Sequence, residues 1–440
     1  METTLIDQVQ PDLQASEQTF ASRVAFRFCF IYFGAYCLTT QIITSLIPLP
    51  NVDIPDPSTF WPVRSIILWS AAHIFRISQP LVYTGSGSGD KTFDWVLLFL
   101  LLVFATVGTA VWTALDRKRP DYATLEKWFR VFIRFCLAGQ MITYGMDKAV
   151  PLQMPFPYLT RLIEHYGDFS PMGVLLSSIG ASPSYETFAG CAELLGGILL
   201  IFPRTTTLGA LICLADMTQV FMLNMTYDVP VKLLSFHLIL LSLYLLAPEV
   251  KRLMNFFFLN RSAEPSVLPS LFEGVRANRV AFALQVALGV WLLGMNAYAA
   301  RQSWHQYGGG RTLSPLYGIW DVEQQTIDGQ PRPPLLSDPG RWRRAIFDFP
   351  ERATFQRLDD SFARHGATID VKTKTFVLSD DGDKNWKASF TFDRPTPDQM
   401  TLDGNMDGHV VHMQLKLEDR NHFLLVSRGF HWVQEYPYNR

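Results

Sequence analysis

The chain has 440 residues, of which 48% are hydrophobic, 13% aromatic and only 18% charged, with a formal net charge of -2. Such a composition excludes a single ordinary soluble domain and gives no reason to invoke a nucleic-acid partner. The five cysteines (Cys29, Cys37, Cys136, Cys191 and Cys213) all fall in apolar runs without a CxxC or a metal-ligand spacing, which argues against thiol-disulfide chemistry.

The polar opening segment, residues 1–23, has no apolar core of a cleaved signal, so the first membrane helix is expected to act as the targeting signal. Apolar runs long enough to span a bilayer follow at 24–46, 93–115, 128–150, 185–202, 206–225, 231–247 and 279–299. Segment 60–77 carries Arg64, His73 and Arg76 beside Trp61, Ile67, Leu68 and Trp69; it either lies in the interface or spans weakly. The richest basic loops are Asp116-Arg117-Lys118-Arg119 with Lys127 and Arg130, then Arg204, then Lys251-Arg252 through Arg261, Arg276 and Arg279. About seven spans put these on one side, which the positive-inside rule makes the cytoplasm. The expectation is a multi-pass protein of the inner (plasma) membrane, with residues 24–300 in the transmembrane domain and the C-terminal part on the outer (periplasmic) side.

From Leu316 the pattern changes to period two. Strands are expected at 317–326, 342–349, 353–358, 368–378, 386–392, 399–405, 409–417 and 422–430, punctuated by Asp328-Gly329, Asp381-Gly382, Asp403-Gly404 and Asp407-Gly408. Residues 311–440 therefore read as an all-β domain, a small antiparallel barrel or sandwich. Gly318-Ile319-Trp320 on the first strand with Arg428 on the last resembles the lipocalin arrangement, in which an arginine stacks on a tryptophan at one end of the barrel. His409 and His412, three apart on a strand, point to opposite faces and do not share an ion. The aromatic tail after Arg428 is expected to dock on the barrel or on the outer loops.

The most unusual stretch is 188–246, where Glu193, Asp216, Asn224, Asp228, Lys232 and His237 interrupt hydrophobic helix; polar groups at such positions face a bundle interior or a cavity. Asp228 and Lys232 are four apart and can pair. With Asn224, Asp147, Lys148 and Asp90-Lys91, they form either a polar pocket roofed by Tyr144, Tyr227 and Trp95, or a salt-bridge network that fixes helix ends. Glu193 lies deeper, with Lys232, His237 and Lys148 as available partners, and Gly190, Gly196 and Gly197 permit close helix approach. His237 has no second histidine at its depth, so haem is not expected.

Tyr144-Gly145-Met146-Asp147-Lys148, followed by Gly190-Cys191-Ala192-Glu193-Leu194-Leu195-Gly196-Gly197 and the turn Arg204-Thr205-Thr206, resembles the DoxX family of membrane proteins over 125–246, a four-helix unit. More distantly the unit is similar to the membrane part of vitamin K-dependent carboxylases, where a lysine near a helix end acts as a base on a quinol; Lys148 is the position that matches. The resemblance to DoxX and its thiosulfate:quinone oxidoreductase relatives implies a quinone-linked oxidoreductase or accessory subunit. Lys148, Glu193 and His237 would then serve proton chemistry, and Tyr144, Asp147, Asn224, Tyr227, Asp228 and Lys232 would bind the head group. The alternative is a non-enzymatic membrane protein that binds a lipid or small apolar ligand, or scaffolds an envelope partner through its β-domain. No cofactor motif is present; a quinone is the one cofactor that the resemblance implies.

Overall fold

The structure is a computed structural model that describes residues 19–50, 52, 54–265, 270–380, 382 and 386–439. The polar segment before Thr19 lies outside the described residues, as does Asp381 of the expected Asp381-Gly382 turn. The main helices are α1 (Phe20–Thr39), α2 (Val63–His73), α3 (Thr92–Leu115), α4 (Ala123–Ala149), α5 (Pro171–Gly180), α6 (Pro183–Ile201), α7 (Thr206–Thr226), α8 (Lys232–Leu246), α9 (Val250–Phe257) and α10 (Val275–Gln306). Two compact units divide the chain: residues up to Asp147 with Ala189–Ala299, and Lys148–Phe188 with Ala300–Arg440.

Among the described residues, five helical stretches are long and apolar enough to cross a membrane: Thr92–Leu115, Pro183–Ile201, Pro203–Thr226, Lys232–Phe257 and Val275–Gln306. Helix α1, of 20 residues with Arg23 and Arg27, and helix α4, of 27 residues with six charged side chains, fall outside that set. The charges on α1 have internal uses. Arg27 is 1% exposed and donates to the Tyr122 hydroxyl (2.9 and 2.7 Å), to Thr113 Oγ1 (2.9 Å) and to the Asp116 carbonyl (2.8 Å), so it binds α1 to the end of α3 and the loop that follows. Tyr122 in turn donates to Asp116 (2.9 Å), and this hydrogen bond holds the Asp116 carboxyl below its ordinary range. Helix α2 has 11 residues, about 17 Å of helix, which is short of a bilayer core; Trp61, Ile66 and Trp69 around it are exposed.

Glycines set the spacing of the helices. A Cβ on Gly197 of α6 would lie 2.9 Å from Ile142 of α4, and one on Gly145 of α4 would lie 2.7 Å from the Leu194 backbone nitrogen. Gly196 approaches Cys213 of α7 as closely, at 2.8 Å. Only glycine at these positions lets α4, α6 and α7 pack at this distance, the device used where lipid removes any hydrophobic drive for helices to associate. The five cysteines are free thiols, three of them buried.

The second unit is organised around eight antiparallel strands: β1 (Gly318–Ile327), β2 (Trp342–Phe347), β3 (Arg352–Arg357), β4 (Phe362–Asp370), β5 (Thr375–Ser379), β6 (Lys387–Thr396), β7 (Gln399–Met406) and β8 (His409–Leu417). Each pairs with the next, and β8 pairs back on β1 from Trp320↔Leu417 to Ile327↔Val411, so the sheet closes into an up-and-down barrel. Alternate positions fill the interior: Trp320, Phe347, Phe355, Phe376, Leu402 and Met413 are each at most 2% exposed. The barrel is thus a packed core rather than a ligand cup.

Several expectations for this unit change. The run 368–378 is two strands, because the Asp370 side chain accepts from the Lys372 (2.8 Å) and Thr373 (3.3 Å) amides and turns the chain without a glycine. Residues 422–430 form no strand; Leu424–Ser427 is a helical turn, since the closed barrel leaves no edge to join. The arginine over Trp320 is Arg394 of β6, 5.1 Å above the ring, whereas Arg428 stacks on Tyr438. The aromatic tail does not dock: Phe430, Trp432 and Tyr436 are 76%, 92% and 84% exposed. His409 and His412 bind separate carboxylates, Asp328 (2.7 Å) and Asp403 (2.6 Å). Residues 148–188 pack with the barrel through Leu159, whose amide donates to Asp348 (2.9 Å), while Arg311 pairs with the other oxygen of that carboxylate (2.5 Å).

Arg341 braces the irregular stretch of β1 at the seam of the barrel. It is 3% exposed and donates to the Val322 carbonyl (2.8 Å) and to Gln325 (3.3 Å), next to the register shift between Val322 and Gln324. Arg341→Met would remove the buried donor from the Val322 carbonyl, while Gln325 keeps the Trp342 amide, and should destabilise the barrel by about 2 kcal/mol. Urea-dependent proteolysis of the detergent-solubilised full chain measures this; an unchanged midpoint would assign the seam to backbone pairing alone.

Candidate functional site

At the end of the bundle where α3 and α8 begin, a glycine-rich loop joins the two helices. The Gly89 amide donates to the Pro230 carbonyl (2.7 Å), and the Asp90 carboxylate accepts from the Lys232 and Leu233 amides, both at 2.9 Å. The first turn of α8 is therefore capped by a side chain 142 residues away, on the positive end of the helix dipole. Lys91, the next residue, opens α3: its amide donates to Asp94 (3.0 Å) and its ammonium pairs with the same carboxylate (2.9 Å) and with the Ser88 carbonyl (2.5 Å).

A cavity of about 540 Å³ lies between this loop and helices α1, α3 and α4. Its polar lining includes Tyr36, Gln41, Asp56, Lys91, Asp94 and Tyr144 along with several serine and threonine hydroxyls. The Gln41 amide donates to the Tyr144 hydroxyl (2.8 Å) and to Gln140 (3.2 Å), so the Tyr144 proton remains available to a ligand. Tyr36 forms part of the wall, and His237 stacks on its ring at 3.7 Å with an angle of 11°. His237 is 1% exposed; its Nε2 meets the Tyr32 hydroxyl (2.8 Å) and its Nδ1 donates to the Leu233 carbonyl (2.6 Å). The assignment of the Nδ1 proton follows from chemistry, since a carbonyl only accepts.

The residues singled out from sequence separate accordingly. Tyr144 and Lys91 line the cavity; Asn224, Asp228, Lys232 and Tyr227 do not. Lys232 pairs with Asp228 (2.9 Å) and Asp90 (3.7 Å), and Asn224 donates to Ser235 (3.0 Å), so this cluster is engaged in holding helix ends. Trp95 is 53% exposed and roofs nothing. Glu193 is buried on α6, and His237 and Lys232, two of its expected partners, are engaged as just described. Asp147 is half-buried at the end of α4. Lys148 belongs to the second unit, where Glu186, fully buried and bound by the Met154 amide (2.8 Å), lies close enough for the two charges to interact.

Sequence reasoning missed Tyr32, Tyr36 and Gln41. The available signal was the pair of tyrosines at i and i+4, which share a face in an otherwise apolar segment; Gln41, beyond the end of α1, carried none. Among the described residues, no cluster of three His, Cys, Asp or Glu side chains could hold a metal ion.

Comparison with known proteins adds a relationship. A stretch of 129 residues, 29% of this chain, is 32% identical to 79% of the uncharacterized protein YwoB of Bacillus subtilis (strain 168). The chain belongs to the YwoB family. That relative is described only as uncharacterized, so the family relationship carries no activity with it. No family model and no solved structure matches the chain.

The two carboxylates around Lys232 differ in weight. Asp90 has a nearly buried side chain and caps a helix, whereas the Asp228 side chain is 84% exposed. Asp90→Ala should lower the thermal stability of the solubilised chain by about 1–2 kcal/mol, and Asp228→Ala by less than about 0.5 kcal/mol. Equal losses in a thermal melt would contradict the capping role.

Proposed function

We propose that the chain is a DoxX-like integral membrane protein that binds the head group of a lipid-soluble quinone in the cavity beside Tyr36. The observation that carries this reading is the pairing of a flat aromatic wall with convergent donors. Tyr36 with His237 stacked on it offers a wall for a planar ring, and Tyr144, held by the Gln41 amide, and Lys91 offer a hydroxyl and an ammonium to its two carbonyl oxygens. A volume of about 540 Å³ suits a head group of that size. A bound quinone supplies two-electron, two-proton chemistry. The chain contributes orientation through Tyr144 and Lys91, and a hydrogen-bonded tyrosine-histidine pair, Tyr32 and His237, behind the wall. Lys148, Glu193, Asp147, Asn224, Tyr227, Asp228 and Lys232 act in this reading by holding the helices around the cavity rather than by touching the ligand.

The membrane reading extends to seven spans, α1, α3, α4, α6, α7, α8 and α10, in the plasma membrane, with the DoxX-like unit at 125–246. Arg23, Lys127, Arg204 and Arg252 then fall at the cytoplasmic end, and the barrel follows the last span on the outer side. The second reading, a non-enzymatic protein for a lipid or small apolar ligand, is favoured by the engagement of Asp90, Asp228 and Lys232 in helix-end contacts.

Organic extraction of the purified full chain should yield quinone. Tyr144→Phe with Gln41→Leu should lower its retention about tenfold or more, while Asp228→Ala leaves it unchanged. Quinone absent from folded wild-type protein would refute the assignment. Retained quinone without turnover of a soluble analogue would select the non-enzymatic reading. Protease added to intact spheroplasts should release the barrel, and a barrel protected until lysis would reverse the orientation.

A further inference from the structure

The opposite end of the first unit holds a larger cavity, of about 1000 Å³, which the reading above does not use. Its charge is one-sided. Lys127, Arg130, Arg134, Arg204 and Arg252 line it against two carboxylates, Glu126 and Glu249. On α4, positions 126, 127, 130, 131 and 134 fall on one helical face, so a single helix presents three cations to the space.

Arg134 is the informative residue. It lies 11 residues into α4, about 16 Å of helix from Ala123, and is 5% exposed. One guanidinium nitrogen donates to Gln285 of α10, but Nε is buried and finds no hydrogen-bond partner among the described residues. An arginine held this far inside an apolar bundle with an unused donor costs free energy unless an anion completes its shell. Arg130 donates to the Leu245 carbonyl (3.0 Å) with one nitrogen only.

Apart from Thr206, Thr207 and Gln285, the rest of the wall is apolar and includes Val131, Leu208, Leu211 and Leu253. Helix α9 passes along the rim, and Phe256, Phe257 and Phe258 at its end are 65%, 60% and 76% exposed. A short helix with such a face beside a basic rim fits the head-group level of a bilayer. Cations deep in the cavity, with aliphatic walls beside them, complement a phosphate attached to a hydrocarbon chain better than a small soluble anion.

We infer that this cavity binds an anionic phospholipid, with its phosphate between Arg130 and Arg134 and its acyl chain against Leu208 and Leu211. The lipid both satisfies Arg134 and joins α4, α7, α9 and α10 at this end of the bundle. The inference rests on the membrane reading above but not on the quinone assignment, and quinone retention in the same variants distinguishes the two.

The test is native mass spectrometry of the delipidated full chain in neutral detergent, titrated with phosphatidylglycerol, phosphatidylcholine or inorganic phosphate. Phosphatidylglycerol should bind at one molecule per chain and phosphatidylcholine at least about tenfold more weakly. Arg130→Gln and Arg134→Gln should each reduce phosphatidylglycerol binding about tenfold. Leu211→Trp, which fills the apolar half, should reduce it without removing a charge. If Arg134→Gln does not fold, Arg130→Gln and Leu211→Trp carry the comparison. Equal binding of the two lipids, or undiminished binding in folded Arg130→Gln and Leu211→Trp, would overturn the inference. So would displacement of phosphatidylglycerol by inorganic phosphate at equal concentration, which would make the ligand a free anion.

Discussion

The Asp90 carboxylate closes the amino end of helix α8, and much of the first unit depends on that contact. The two amides it accepts from have no intrahelical partner, and leaving them bare in an apolar setting is costly. Because Lys91 begins α3 at once, one dipeptide ties the starts of two helices together and draws the glycine-rich loop across the end of the bundle. The cavity beside Tyr36 lies beneath that loop, so its roof and one of its cations come from the same few residues.

The two ends of the helical unit solve the problem of buried polarity differently. At the loop end, polar groups are matched to one another: Gln41 with Tyr144, Lys91 with Asp94, His237 with Tyr32 and Leu233. What remains there is a compact space with the Tyr144 hydroxyl and the Lys91 ammonium on its wall. At the other end, cations outnumber carboxylates and Arg134 keeps an unused donor, so that space is complete only with an anion. In the two readings proposed above, a single bundle offers one site for a neutral, planar head group and another for a charged one.

The barrel answers a different constraint. A meander of short strands has two exposed edges until its last strand meets its first, and here β8 closes on β1, whose irregular stretch Arg341 braces. Its interior is filled by aromatic and aliphatic side chains, and polar partners such as Asp328 and His409 are left on the outside. Closure also explains why the aromatic tail is left exposed rather than added to the sheet.

Much of this architecture was legible in the amino-acid order. Apolar runs located the long helices, period two located most strands, and spacing alone paired Asp228 with Lys232. These features depend on neighbours within a few residues, where helix and strand geometry dictate which side chains meet. The turn at Asp370 was missed because a side chain, not a glycine, makes it. The choice of partners was decided only by the tertiary structure. Tyr32 and His237 are 205 residues apart, Asp90 and Lys232 are 142 apart, and Arg134 and Gln285 are 151 apart. Which of these meet depends on the order and rotation of packed helices, and hydrophobic periodicity is the same for every arrangement that buries the same faces.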